Sequence, residues 1–123
     1  MTELPEQALH IEEAHGVTLI EVRGEGDLTI TQELRARLDE LAAAPSARAI
    51  VDLTPATFID SSTLGALAFS SKAFGHAPPR FAVVCPPGEL RSMFELTALE
   101  RVVPLHETRD QALAAVAEAE RAG

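Results

Sequence analysis

The stretch Val51-Asp52-Leu53-Thr54-Pro55-Ala56-Thr57-Phe58-Ile59-Asp60-Ser61-Ser62-Thr63-Leu64-Gly65 carries an apolar strand through a short loop into an apolar helical pattern. The strand begins at Ala49, and the helix opens beside a carboxylate, Asp60, with hydroxyls at Ser61, Ser62 and Thr63. Helix N-termini present unpaired backbone N–H groups and a partial positive charge, so an anionic group is stabilised there. A phosphate on a serine of that first turn is therefore compatible with the fold. Capping alone also accounts for Asp60-Ser61-Ser62, because Asp and Ser are preferred N-cap residues, contributing about 0.5–2 kcal/mol. The two roles are compatible.

Outward from this stretch, helical and strand patterns alternate. The helix is predicted over 61–74, with Leu64, Leu67, Ala68, Ser71 and Phe74 on one face and Gly75 as its C-terminal cap. A strand at 80–85, a Pro86-Pro87-Gly88 turn and a helix at 88–97 carrying Leu90, Met93, Phe94 and Leu96 follow. A short strand at 101–105 and a last helix at 108–121, with Leu113, Val116 and Ala117 as its apolar stripe, complete the pattern. Upstream, residues 8–13 and 17–23 read as a hairpin around Ala14-His15-Gly16, and Gly24-Glu25-Gly26-Asp27 interrupts the pattern. Thr31 is then a candidate N-cap for a helix marked by Leu34, Leu38 and Leu41 and ended by Pro45. The order predicts an α/β fold with a mixed, mostly parallel sheet and helices packed against it. Functional groups of such sheets gather on loops beyond the C-terminal ends of the strands, where Phe58-Ile59-Asp60-Ser61-Ser62 falls.

Composition narrows the function. With 123 residues, 46% of them hydrophobic, the chain is read as one domain spanning 1–123, with its core over about 8–120. Trp and Tyr are absent and Phe occurs five times, which argues against base stacking as a mode of nucleic-acid binding. The formal charge of -9, with no cluster of Lys or Arg, argues further against a polyanionic partner. That charge is uneven: residues 1–60 hold twelve acids and four bases, whereas 61–88 hold no acid and two bases, Lys72 and Arg80. The bland reading is a solvated acidic face. The sharper one is a surface after Asp60, free of negative charge, where a partner or a phosphate sits.

Cys85 is the only cysteine and lies in an apolar run, as a buried small hydrophobe would. Neither a secretory signal nor an apolar run of about 20 residues is visible, so a cytoplasmic location without membrane insertion is expected. The sequence contains no Gly-x-x-x-x-Gly-Lys phosphate loop, no Gly-x-Ser-x-Gly elbow and no His/Cys cluster with metal spacing. His10, His15, His76 and His106 are scattered. No catalytic residue, metal ligand or cofactor is predicted.

Three ordered blocks resemble the STAS domain of bacterial anti-sigma-factor antagonists. Gly24-Glu25-Gly26-Asp27-Leu28 with Glu33-Leu34-Arg35 resembles the family's approach to its first helix. Val51-Asp52-Leu53 through Phe58-Ile59-Asp60-Ser61-Ser62 resembles its phosphoacceptor motif, and Glu95-Leu96-Thr97-Ala98-Leu99 with Val102-Val103-Pro104-Leu105 its C-terminal element. The resemblance implies partner switching. The unmodified domain binds an anti-sigma factor that is also a GHKL-type serine kinase, which frees a sigma factor. Phosphorylation of the second serine, Ser62 here, releases the complex, and a PP2C-type phosphatase resets it. Asp60, Ser61, Ser62, Thr63, Leu64 and Gly65 are the expected partner-binding residues. The other role known in the family, a scaffold or accessory subunit of a membrane lipid or anion transport system, needs no phosphorylation.

Two positions depart from the family pattern, which has Gly where this chain has Thr63 and Ala98. A β-branched residue directly after the acceptor reduces backbone freedom and adds bulk. It leaves open slower phosphorylation, altered kinase choice, or a second acceptor.

Overall fold

The computed structural model describes residues 9–26, 28–75 and 79–122. In chain order the strands are β1 (Leu9–Ala14), β2 (Val17–Val22), β3 (Gly24–Gly26), β4 (Ala49–Asp52), β5 (Ala56–Ile59), β6 (Phe81–Val84) and β7 (Leu105–His106). The helices are α1 (Leu28–Ala43), α2 (Ser61–Phe74), α3 (Glu89–Leu96) and α4 (Arg109–Ala122).

The main sheet has the order β1-β2-β4-β6-β7. The first pair is antiparallel, in register from Leu9 opposite Val22 to Ala14 opposite Val17, and every later pair is parallel. A two-residue turn closes the hairpin with His15 at φ 55° and Gly16 at φ 74°, the left-handed pair that matches the strands' own twist. Arg48, itself buried, fastens this turn by donating to the carbonyls of His15 and Gly16 at 3.2 and 3.4 Å.

Both faces of the sheet are covered, which is why β4 and β6 are buried at every residue. Alternation divides them. Ala49, Val51, Phe81 and Val83 face α1, α2 and α3 through Leu34, Leu38, Leu64, Leu67, Phe74 and Phe94. Ile50, Ala82 and Val84, with Val17 and Leu19 of β2, face Ala112 and Val116 of α4. The Val, Leu, Ile and Phe side chains among these contribute roughly 1.5–3 kcal/mol each when fully buried.

A second, two-stranded sheet pairs β3 with β5 in parallel, with Gly26 opposite Ile59. The sequence reading had Gly24-Glu25-Gly26 as an interruption and 54–60 as loop, so this ladder is a correction. It positions the site, because each strand runs directly into a helix and the first turns of α1 and α2 emerge side by side.

Three further expectations are corrected. Thr31 does not cap α1 but lies inside it, since the helix starts at Leu28; Asp27 lies outside the described residues. The strand expected at 101–105 is a 3₁₀ turn at Leu99–Arg101 followed by the two-residue β7. Leu96, assigned to the apolar face of α3, is 87% exposed at that helix's end, while Phe94 carries the packing. The predicted bounds of α2 and its Gly75 cap hold, with the Gly75 N–H bonded to the Ser71 and Lys72 carbonyls.

Candidate functional site at the start of the second helix

Asp60 is the residue between β5 and α2. Its backbone is extended (φ -98°, ψ 178°), as an N-cap requires, and its Oδ1 accepts the Thr63 N–H at 2.9 Å. The same oxygen accepts the Thr63 hydroxyl at 3.1 Å. The first turn of α2 contains no acidic residue, so the unpaired donors of that turn face no negative side chain within the helix.

The six predicted site residues divide by direction. Ser61, Ser62 and Gly65 are exposed, Asp60 is half-buried, and Thr63 and Leu64 are buried at 2% and 3% exposure. Leu64 packs in the main core. The Thr63 hydroxyl lies 2.7 Å from that of Thr31 across the α1–α2 interface. The expectation that Thr63 adds bulk at an approach surface is therefore corrected: its side chain points inward, between two helices. The inward face of Thr63 and Leu64 leaves only their backbone toward a partner.

The exposed side of α2 continues from Gly65 to Phe69, which is 52% exposed. The Arg35 guanidinium of α1 stands over the Phe69 ring, 4.5 Å from its centroid. Phe58 on β5 is also 52% exposed, whereas Phe74, Phe81 and Phe94 are buried. Phe58 and Phe69 thus sit outside the core in a protein with only five Phe and no other aromatic but His. The reading from sequence placed the binding surface on this helix, yet it passed over Phe58, Phe69 and Arg35. Their signal was present: Phe69 falls off the stripe formed by Leu64, Leu67 and Phe74.

Three titratable groups outside this site are shifted by their surroundings. Burial pushes the Cys85 thiol above its ordinary value, against a smaller lowering by the nearby Arg91 charge, so it stays protonated and unreactive. Burial and then the Arg91 charge hold His106 below the ordinary imidazole range. Arg109 is held in its charged form, chiefly by its hydrogen bond to Asp52. Among the described residues no group of three or more His, Cys, Asp or Glu is placed to hold a metal ion, and no helix is long and apolar enough to cross a membrane.

The model of the STAS domain matches residues 8–112, which takes in the hairpin, both sheets and the capped start of α2. The chain belongs to the STAS domain family. An anti-sigma factor antagonist from Mycobacterium paratuberculosis is similar over 88% of this chain and 92% of its own, at 30% identity and a TM-score of 0.75. The anti-sigma factor antagonist SpoIIAA in its unphosphorylated form shares the fold at 19% identity and a TM-score of 0.69, over 89% of this chain and 97% of its own. The phosphorylated form of SpoIIAA, the Bacillus cell fate determinant, shares it at 20% identity and a TM-score of 0.68, over 89% of this chain and 99% of its own. No curated protein sequence matches the chain. Within the STAS fold as this chain builds it, Ser62 is an exposed residue at the second position of a capped helix that also bears the exposed Phe69.

Proposed function

We propose that this STAS domain is an anti-sigma factor antagonist that binds an anti-sigma serine kinase of the GHKL type and is inactivated by phosphorylation of Ser62. The observation that carries the reading is the exposed Ser62 hydroxyl at the open start of α2, next to a capping carboxylate whose acceptor oxygen is already engaged. Family membership supports it, as does the existence of SpoIIAA in phosphorylated and unphosphorylated forms. A PP2C-type phosphatase would reverse the modification. The domain spans the whole of 1–123 on this reading, works in the cytoplasm and acts as a binding module rather than an enzyme.

The switch is electrostatic. A phosphate adds about -1.5 to -2 charges and three acceptor oxygens. Free in water at a helix N-terminus, that charge is well tolerated. Against a partner that carries nucleotide phosphates of its own, it is desolvated and repelled. A loss of about 3–4 kcal/mol lowers affinity by several hundredfold, with no change of shape in this domain.

Intact-mass spectrometry after incubation with ATP and the kinase activity of native lysate should show one added phosphate on the parent chain and none on Ser62→Ala. In capture experiments Ser62→Ala should retain the kinase persistently in the presence of ATP, and Ser62→Asp should release it. If Ser62→Ala still gains a phosphate, or both variants hold the partner as the parent does, Ser62 is not the switch. A partner bound identically by all three chains would favour the scaffold role instead.

A further inference from the structure

Asp60 and Thr63, at the start of α2, are joined to Thr31 of α1 by a chain of hydrogen bonds. An ionised Asp60 only accepts, so in its contact with Oδ1 at 3.1 Å the Thr63 hydroxyl is the donor. With that proton committed, the 2.7 Å contact between Thr63 and Thr31 has Thr31 as donor. Both threonines are buried, at 2% and 6% exposure, so their contact is made away from water. The bond ending on the carboxylate is the charge-assisted one. Thr31 and Thr63 are 32 positions apart, and the parallel pairing of β3 with β5 is what sets their helices' first turns side by side.

We propose that Thr63, held by Thr31, is a positioning residue for the Ser62 switch: the Thr31–Thr63–Asp60 chain clamps the residues on both sides of Ser62 and ties them to α1. This rests on Ser62 being the acceptor. Two consequences separate the clamp from the options left open by the sequence. Thr63 is no second acceptor, because its hydroxyl is buried and both its proton and a lone pair are used. Nor does it obstruct a kinase, because its side chain faces α1. Instead it presents Ser62 in one pose, so a partner need not order the first turn of α2 on binding, and less conformational freedom is lost in the complex.

The test uses the full chain and three variants, T31V, T63V and T63S. Amide hydrogen exchange in the isolated protein reads the clamp without any kinase. Exchange of the bonded Thr63 and Leu64 amides should accelerate about three- to tenfold in T31V and T63V, the fold-change expected for one hydrogen bond, and return to the parent rate in T63S. With the kinase fraction that labels Ser62, the chain concentration giving half-maximal labelling should rise about three- to tenfold in T31V and T63V, with the maximal rate held within about twofold. In exchange of the Thr63 and Leu64 amides the double variant T31V/T63V should match T63V alone, because Thr31 acts on them through Thr63. Unaltered exchange of the Thr63 and Leu64 amides in T31V overturns the clamp. So does a T31V chain that is less stable yet labelled with parental half-saturation, which is what a merely structural threonine would give. Phosphate found on Thr63 in Ser62→Ala also overturns it. Failure of the acceptor reading is distinct: it appears as undiminished labelling of Ser62→Ala, while the exchange result stands by itself.

Discussion

Ala98 follows α3 with φ 60° and ψ 17°, in the left-handed region, where its Cβ crowds the neighbouring carbonyl. The carbonyl of Ala98 accepts the Arg101 N–H at 3.2 Å, so the strained residue anchors the 3₁₀ turn that leads to β7. The left-handed conformation costs a non-glycine residue roughly 1–2 kcal/mol, and the extra freedom of an unfolded glycine returns part of that on substitution. Ala98→Gly should therefore raise stability by about 0.5–1 kcal/mol, seen as a higher urea midpoint at unchanged slope. A lower midpoint would mean that the methyl group packs usefully. The reason the family pattern has Gly at this position is thus local backbone geometry, which a single sequence does not display. The same limit applied at the start of α2. The Asp60 cap was legible because capping chemistry is local in sequence. The burial of Thr63 was not, since it depends on a helix 32 positions away. A signal did exist: Thr31 shares the i, i+3, i+7 stripe of Leu34 and Leu38, which marks it as inward-facing rather than as a cap.

Helices and the hairpin were readable because their periodicity is their own, whereas β3 and β5 are strands only by virtue of each other. Three residues with two glycines lack strand propensity, and a four-residue run after Pro55 resembles a loop. Their parallel ladder is nonlocal, so nothing within either segment announces it. It nevertheless decides which face of α2 is free. On that face Phe69, half-exposed beneath Arg35, loses little solvent protection when truncated, whereas a docked partner would bury it fully. Phe69→Ala should shift unfolding by less than about 1 kcal/mol while weakening capture of the proposed kinase partner by about tenfold or more, as aromatic anchors at interface centres do. Leu96 serves as the control, being still more exposed but at the far end of α3. Leu96→Ser should leave both measurements at parental values. If Phe69→Ala binds normally, the interface does not extend along α2.

At the scale of the whole molecule, α2 and the opposite side of the sheet differ in charge. The exposed side of α2 belongs to the acid-free stretch 61–88, whereas a dense ionic cluster lies where α4 crosses the other side of the sheet. There the Arg109 guanidinium donates to Asp52 at 2.7 Å, to Glu12 at 3.4 Å and to Glu21, which Arg23 also pairs at 2.8 Å. One cation thus ties α4 to β1, β2 and β4, the lone helix on its face to three strands. Asp52 is 4% exposed and also accepts the Thr54 N–H at 2.9 Å, so its charge has no ready access to water. Arg109→Leu would leave that buried carboxylate without its cation and facing two glutamates. Breaking a buried pair costs about 3–5 kcal/mol. Arg109 is a third exposed, so solvent screening reduces this to roughly 2 kcal/mol. Adding Asp52→Asn removes the stranded charge and keeps an acceptor for Thr54, so the double variant should recover about half of the loss. Urea denaturation of the parent, both single variants and the double variant measures the cycle directly. A double variant no more stable than Arg109→Leu would show that the loss comes from α4 packing rather than from the uncompensated carboxylate.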